Sequence, residues 1–351
     1  MEQSETPSTP PPPASLLQLA HGTLYTQLLC VAAQLGLAER LAQDGPITAN
    51  QLALQVGTHT LILERILRAL VSMNVCDELD GDWFQLTRLG EYLRPNHPDS
   101  VEARVLFNAQ VLSRSWSELI ETVRTGEGGT RRVLGMPLFE YLAKDPHAAS
   151  LFDRTMAGEA DYRHRPAAEA YDFGQFKTVI DVGGGNGALI AEILRLHPQP
   201  TGVIFDLPRA AAGAKQIIEI NRLSDRCRFV GGDAFESVPD GADAYVFSNF
   251  LVAWRDDQAV IPLRKCREAV GAGGNVLLVE WVMPVGGEPW EHFRFWDITR
   301  VDLMLFAQTG SGGGRVRTRS GFRDLLGAAG FEMTAVIPTR GSVSVMEAKP
   351  V

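Results

Sequence analysis

Apolar positions recur at helical spacing from Ser15 to about Ala42, where Leu16, Leu19, Leu24, Leu28 and Ala32 fall on repeating faces. From Ile47 to Leu93 the pattern predicts a short helix, a turn near Gly57, a helix from about Thr60 to Met73, and two short strands. Asp80–Asp82, "DGD", is the tight turn between those strands. Helix, turn, helix and hairpin in that order make a winged-helix plan. Helical patterning continues to about Ala170, with a glycine-rich break at Thr125–Arg132. From Tyr171 the period changes. "KTVIDVGGGNG" reads as a buried strand entering a glycine turn, "ALIAEILRLHP" as a helix stopped by Pro198, and "TGVIFDLP" as a strand ended by Pro208. "RCRFVGGDAF", "DAYVFSNFLV" and "GNVLLVEWVMP" read as further strands with helices between them. Strand–helix alternation predicts an α/β fold, a doubly wound parallel sheet wrapped on both faces. The expected division is a tail over residues 1–14, a helical winged-helix domain over 15–170 and a sheet domain over 171–351.

A chain of 351 residues fits two domains of roughly 150 residues each. The formal charge of −9 gives no electrostatic support for a nucleic-acid or membrane-surface partner. The recognition-like helix "THTLILERILRALVSMN" carries only Arg65 and Arg68 as cations, where a duplex reader needs several phosphate contacts. No apolar run approaches the ~20 residues of a membrane span. The first 14 residues are polar and Pro-rich, without the basic start and apolar run of a signal peptide, so a disordered tail and a cytoplasmic location are expected. Cys30, Cys76, Cys227 and Cys266 lie far apart and form no CxxC pair. The histidines have no metal-ligand spacing, and no metal is expected.

The chemistry begins at Asp181-Val182-Gly183-Gly184-Gly185-Asn186-Gly187. A glycine turn after a first strand lets backbone approach a ligand where a Cβ would clash. Taken alone it is ambiguous, because Gly183, Gly185 and Ala188 also satisfy a dinucleotide fingerprint. Asp206 ends the second strand about 20 residues on, where a carboxylate can accept ribose hydroxyls. Asp233 ends the third, where it can face an adenine amino group, and Trp254 follows the fourth, where an indole can cover adenine. The set describes one nucleoside with a short polar tail, which fits S-adenosylmethionine.

"VIDVGGGNGALIAEILRLHP", "GVIFDLP", "RCRFVGGDAF", "LRKCREAVGAGGNVLLVEWVMP" and "VDLMLFAQTG" closely resemble the small-molecule O-methyltransferases, the family of the plant caffeic-acid type and the bacterial polyketide-tailoring enzymes. The resemblance spans about residues 15 to 350. It implies a class I methyltransferase, Rossmann-like sheet, a winged-helix domain that makes a homodimer and covers the pocket, and S-adenosylmethionine as cofactor. Carried over, the cofactor positions are Gly183, Asp206, Asp233, Ala234, Ser248 and Trp254. Asp181, Gly185, Leu207, Phe235 and Asn249, beside them in the chain, complete the expected set.

One departure stands out. Plant-type members read H-D-W where this chain reads Val252-Ala253-Trp254, and their His deprotonates the acceptor. The two acids that orient that His fall on Glu280 and Val316, so one of three catalytic positions survives. A lysine often found at Ser248 is also missing. General-base catalysis adds about 10²–10⁴-fold, while holding donor and acceptor in line contributes several kcal/mol. Some bacterial relatives also lack the His, and a few of them catalyse hydroxylation or pericyclic steps.

The expected function is therefore O-methylation of an aromatic or polyketide-like metabolite by proximity and orientation. The alternatives are a non-methylating tailoring enzyme that keeps the cofactor (a hydroxylase, decarboxylase or cyclisation catalyst) and a C- or N-methyltransferase. Glu280 and His292 are the candidate catalytic groups. Arg294 is a candidate clamp for an acceptor carboxylate. Phe107, Trp116, Phe152, Met156, Phe295, Trp296, Asp302 and Met304 are candidate acceptor-lining residues. Each of these also reads as ordinary core or solvated surface.

Overall fold

The computed structural model describes residues 12–158, 163–271, 273–286 and 292–351. The chain divides into two compact units. One runs to Ser113 and adds Asp145–Gly158; the other takes Arg114–Lys144 and everything after Gly158. This differs from the boundary expected near residue 170, because 114–144 groups with the second unit through a helix–helix contact. The helix Gly129–Leu134 lies against the helix His292–Thr309, and the Thr130 hydroxyl reaches the Ala307 carbonyl at 3.4 Å.

In the first unit the helical pattern over 15–42 resolves into three helices: Pro12–Ala20, Gly22–Gln34 and Leu37–Asp44. The last break is at Gly36, whose φ of +63° is left-handed. Pro12, Pro13 and Ala14 are thus helical rather than part of a tail, and residues 1–11 lie outside the described set. Strand β1 (Ile47–Thr48) leads into the helix Ala49–Val56, where Thr48 and Gln51 form a capping box. The helix Thr60–Ser72 buries Leu63, Leu67 and Leu70 on one stripe. Strands β2 (Cys76–Leu79) and β3 (Trp83–Leu86) close the wing through Asp80–Asp82. Arg68, one of the two cations on the recognition-like helix, is spent on Glu64, Glu78 and Asp82.

The second unit carries strands β4 (Thr178–Val182), β5 (Thr201–Asp206), β6 (Cys227–Gly231), β7 (Ala244–Ser248) and β8 (Asn275–Glu280) in parallel, spatial order β8-β7-β4-β5-β6. A short parallel pair, β9 (Val282–Met283) and β10 (Arg317–Thr318), stands apart. Strands β11 (Phe331–Pro338) and β12 (Ser344–Pro350) extend the sheet beyond β8, antiparallel. The sheet is therefore mixed, where an all-parallel one was expected. Its two faces are buried separately. Val179 and Ile204 join the helices Ala188–Leu196 and Ala211–Ile220 in one cluster, and Ile180, Val203 and Phe205 join Asp256–Ala269 and Arg319–Ala328 in the other. The C-terminal ends of β4 to β8 then lie side by side, the place where open α/β sheets bind ligands.

Candidate active site

The first strand ends in a turn that only glycine can make. Gly183 has φ +72°, and a Cβ on it would sit 2.2 Å from the Phe250 ring. Its N–H donates to the Phe205 carbonyl at 2.8 Å, which locks the turn onto β5. Gly185 is also left-handed, at φ +56°, but nothing lies within 4 Å of its Cβ position. One glycine is thus packed against protein, and the other is a bare cradle facing open space. The Gly185 N–H donates to Asp206 Oδ2 at 2.8 Å, and the Leu207 N–H donates to Asp206 Oδ1 at 2.6 Å. The carboxylate at the end of β5 is thereby aimed at the rim of the turn.

The opposite wall is aromatic. Asp233, two residues past β6, accepts the Phe235 N–H at 2.9 Å and so sets that ring. Phe235 meets Trp254 edge-on at 4.7 Å and 71°, and Phe250 at 6.2 Å. Ala234 between them is buried. Ser248 ends β7, and Asn249 leaves it with φ +51°, a conformation Asn tolerates. The Asn249 N–H pairs with the Val279 carbonyl on β8, and its carboxamide oxygen is buried without a partner among the described residues.

Asp181 was expected at the cofactor surface, and the structure places it beneath. It is 1% exposed, and a Cβ on Gly184 would lie 2.8 Å from its carboxyl. Burial first, and the nearby Asp206 charge second, push its pKa up to about 7. It supports the turn from below. The remaining cofactor candidates converge at the ends of four adjacent strands. Cradle, two carboxylates and a paired aromatic wall fit a nucleoside with a short tail and no pyrophosphate.

The turn Leu251–Ala253, where the family's base would stand, is apolar. Val252 is 5% exposed and shares a cluster with Trp281, Ile298, Val301 and Val316. Glu280, at the end of β8, is completely buried. Its Oε1 accepts the N–H groups of Leu251 at 2.9 Å and Val252 at 3.4 Å, and its Oε2 has no partner among the described residues. Burial pushes its pKa up to about 8. Here the surviving acid holds backbone.

The acceptor-lining set is scattered. Phe107 and Phe152 meet edge-on at 5.6 Å in the first unit, which also holds Met156; the rest lie in the second. Asp302, expected in the pocket, accepts the Val316 N–H at 2.8 Å and joins the helix His292–Thr309 to β10. On the same helix Phe295 and Trp296 face outward in their unit, 39% and 62% exposed. The inward position is Asp297, bonded to Trp281 Nε1 and Arg300. Arg294 and Met304 are half-buried and Trp116 likewise. The His292 side chain lies outside the described residues.

Two site residues escaped the sequence reading. Phe250 fills the space over Gly183, and the aromatic inside "SNFLVAW" was its signal. Arg317 is 2% exposed and donates to the carbonyls of Leu251 and Trp254. Backbone partners leave no trace in a sequence.

Residues 116–332 match the O-methyltransferase domain, and residues 17–95 match the O-methyltransferase dimerisation domain. The chain belongs to the O-methyltransferase family. A phenazine O-methyltransferase of Lysobacter antibioticus is 37% identical over 336 residues, 96% of each chain. An O-methyltransferase from neocarzinostatin biosynthesis, solved with S-adenosyl-L-homocysteine and 1,4-dihydroxy-2-naphthoic acid, superposes with a TM-score of 0.75 at 31% identity, over 93% of this chain and 96% of that one. Aclacinomycin 10-hydroxylase of Streptomyces purpurascens is 33% identical over 319 residues, 90% of this chain and 83% of its own. This O-methyltransferase family member is an S-adenosylmethionine-dependent enzyme with a helical dimerisation domain ahead of its catalytic sheet. No single helix among its described residues is long and apolar enough to cross a membrane.

Proposed function

We propose that the enzyme methylates a hydroxyl of an aromatic or polyketide-like secondary metabolite, by holding the acceptor in line rather than by deprotonating it with a side chain. The observation that carries this reading is the pairing of a complete cofactor cradle with a base position filled by buried Val252. S-adenosylmethionine supplies a methyl group on a sulfonium, an already activated carbon. Gly185 would let the backbone approach it, on a turn that Gly183 locks against β5 and Phe250, and Asp206 would accept from the ribose. Asp233 would face the adenine edge, and Phe235 and Trp254 would flank its ring. What this chain adds is positioning and exclusion of water by the apolar cluster around Val252. The acceptor loses its proton to solvent before it enters the site, so one acidified by a neighbouring carbonyl suits the enzyme. Phenazine and naphthoic compounds in the names of its relatives have that aromatic character.

The dimerisation domain and the exposed leucines 16, 17, 19 and 24 of the first two helices support a homodimer. Four unpaired, buried cysteines support a cytoplasmic location.

The test is a panel of phenols of graded acidity with S-adenosylmethionine, read by mass spectrometry. The expected result is gain of one methyl with equal S-adenosylhomocysteine, and a pH limb in kcat/KM that moves with the acceptor's own pKa. No S-adenosylhomocysteine with any acceptor overturns the reading. A second reading rests on Val252 and the hydroxylase relative: a reaction that needs bound cofactor and transfers no methyl. A product of unchanged methyl count formed only with cofactor present selects it.

A further inference from the structure

The turn from Leu251 to Trp254 has no ionisable side chain of its own, yet it ends on one wall of the cradle. Its anchorage comes from outside. From the β8 side, Glu280 takes its N–H groups. From the other side, Arg317 takes its carbonyls: Nη1 donates to Leu251 O at 2.8 Å and Nη2 to Trp254 O at 2.7 Å. Arg317 Nε donates to Asp256 Oδ1 at 2.7 Å, in the first turn of the helix that follows. All three edges of one planar guanidinium are used. Arg315, more exposed, pairs with the second oxygen of the same carboxylate at 2.7 Å. The approach is close. A Cβ on Gly314 would lie 2.0 Å from the Val252 carbonyl oxygen and 2.7 Å from the Trp254 nitrogen.

We propose that Arg317 is a positioning residue for cofactor binding, which sets the Trp254 indole at the height of the adenine by fixing the carbonyls at both ends of its turn. A buried guanidinium is costly unless its donors are satisfied. Here two of its three directions are given to the backbone of a single turn, and the third to the carboxylate that follows it. Core filling alone would be met by any apolar side chain of that size. Lysine cannot reproduce the contact, because its ammonium is a point donor without the rigid fork. The effect falls on the residues that hold the nucleoside, and Val252 is carried along in the same turn.

The experiment is calorimetric binding of S-adenosylhomocysteine, which needs no acceptor and so is independent of the proposed reaction. Arg317→Lys is expected to weaken binding tenfold or more at a temperature where thermal melts show it folded, and to change the quenching of tryptophan fluorescence on binding. Arg315→Lys is expected to bind as the parent does. Guanidinium ion at millimolar concentration is expected to restore part of the affinity of Arg317→Ala. If Arg317→Lys does not fold, Asp256→Asn decides: it leaves the guanidinium in place without its charged partner, and binding a few-fold weaker is expected. Parent-like affinity in folded Arg317→Lys, or in Asp256→Asn when the first variant is unfolded, overturns the proposal.

Discussion

Glu280 holds the Leu251 N–H with one carboxyl oxygen, at 2.9 Å, and keeps the other buried, without a partner among the described residues. One carboxyl oxygen of Glu280 is thus open to a new partner. Replacing Val252 with His would supply an N–H for it. Val252→His is expected to leave S-adenosylhomocysteine affinity within a few-fold. It is expected to speed transfer to weakly acidic phenols by about tenfold or more, and to add a pH limb at or above about 6.5. Steady-state rates across pH check this, and an unchanged profile with folded protein contradicts it.

The same carboxyl makes stability depend on pH. Its pKa is about 8 in the fold, against an ordinary value near 4.5, so the folded state holds a proton that the unfolded state releases. Its stabilising share is complete below about pH 4.5 and is lost as pH rises through about 8. Gln mimics the protonated form. Glu280→Gln is therefore expected to gain thermal stability relative to the parent steadily from pH 5 to pH 8. Melting curves at matched ionic strength read the difference, and a constant offset would rule the protonated carboxyl out.

Two glycines of one turn are expected to fail in different ways. Gly183→Ala drives a methyl into Phe250 at φ +72° and should cost both folding stability and ligand binding. Gly185→Ala meets no protein atom and carries only the strain of a left-handed alanine, about 1–2 kcal/mol. It should melt within a few degrees of the parent and yet lose most cofactor affinity. Equal loss of stability in the two variants would deny that Gly185 faces a ligand.

Asp206 both braces Gly185 and, in the proposed complex, accepts ribose hydroxyls. Asp206→Ala is expected to weaken S-adenosylhomocysteine binding by about 10- to 100-fold. Calorimetry measures it directly; parent-like affinity would remove Asp206 from the cofactor site.

The cofactor half of this site was readable because its signals are local. Strand, glycine turn and carboxylate follow one another within about 25 residues, from Asp181 to Asp206, and each has a backbone reason to be where it is. The acceptor half was not. The helix His292–Thr309 is apolar on several sides, so sequence gives no preference for Asp297 inward and Trp296 outward. Asp302 looked like a pocket residue and Arg317 drew no reading, because main-chain atoms are among their partners. The boundary near residue 170 was set by a change of period, whereas compactness follows contacts, and those join 114–144 to the second unit through the helix His292–Thr309. The antiparallel strands β11 and β12 lack the uninterrupted apolar run that marks a buried parallel strand.

Strand β12 is the last of the sheet in the chain, yet it lies between β8 and β11. Until residues 344–350 have left the ribosome, β8 has one open edge and β11 has no neighbour to pair with. The catalytic sheet must therefore wait for residues 344–350 before it can close, and a chain cut just before them would leave an adhesive rim of unpaired amides beside the acid at the end of β8.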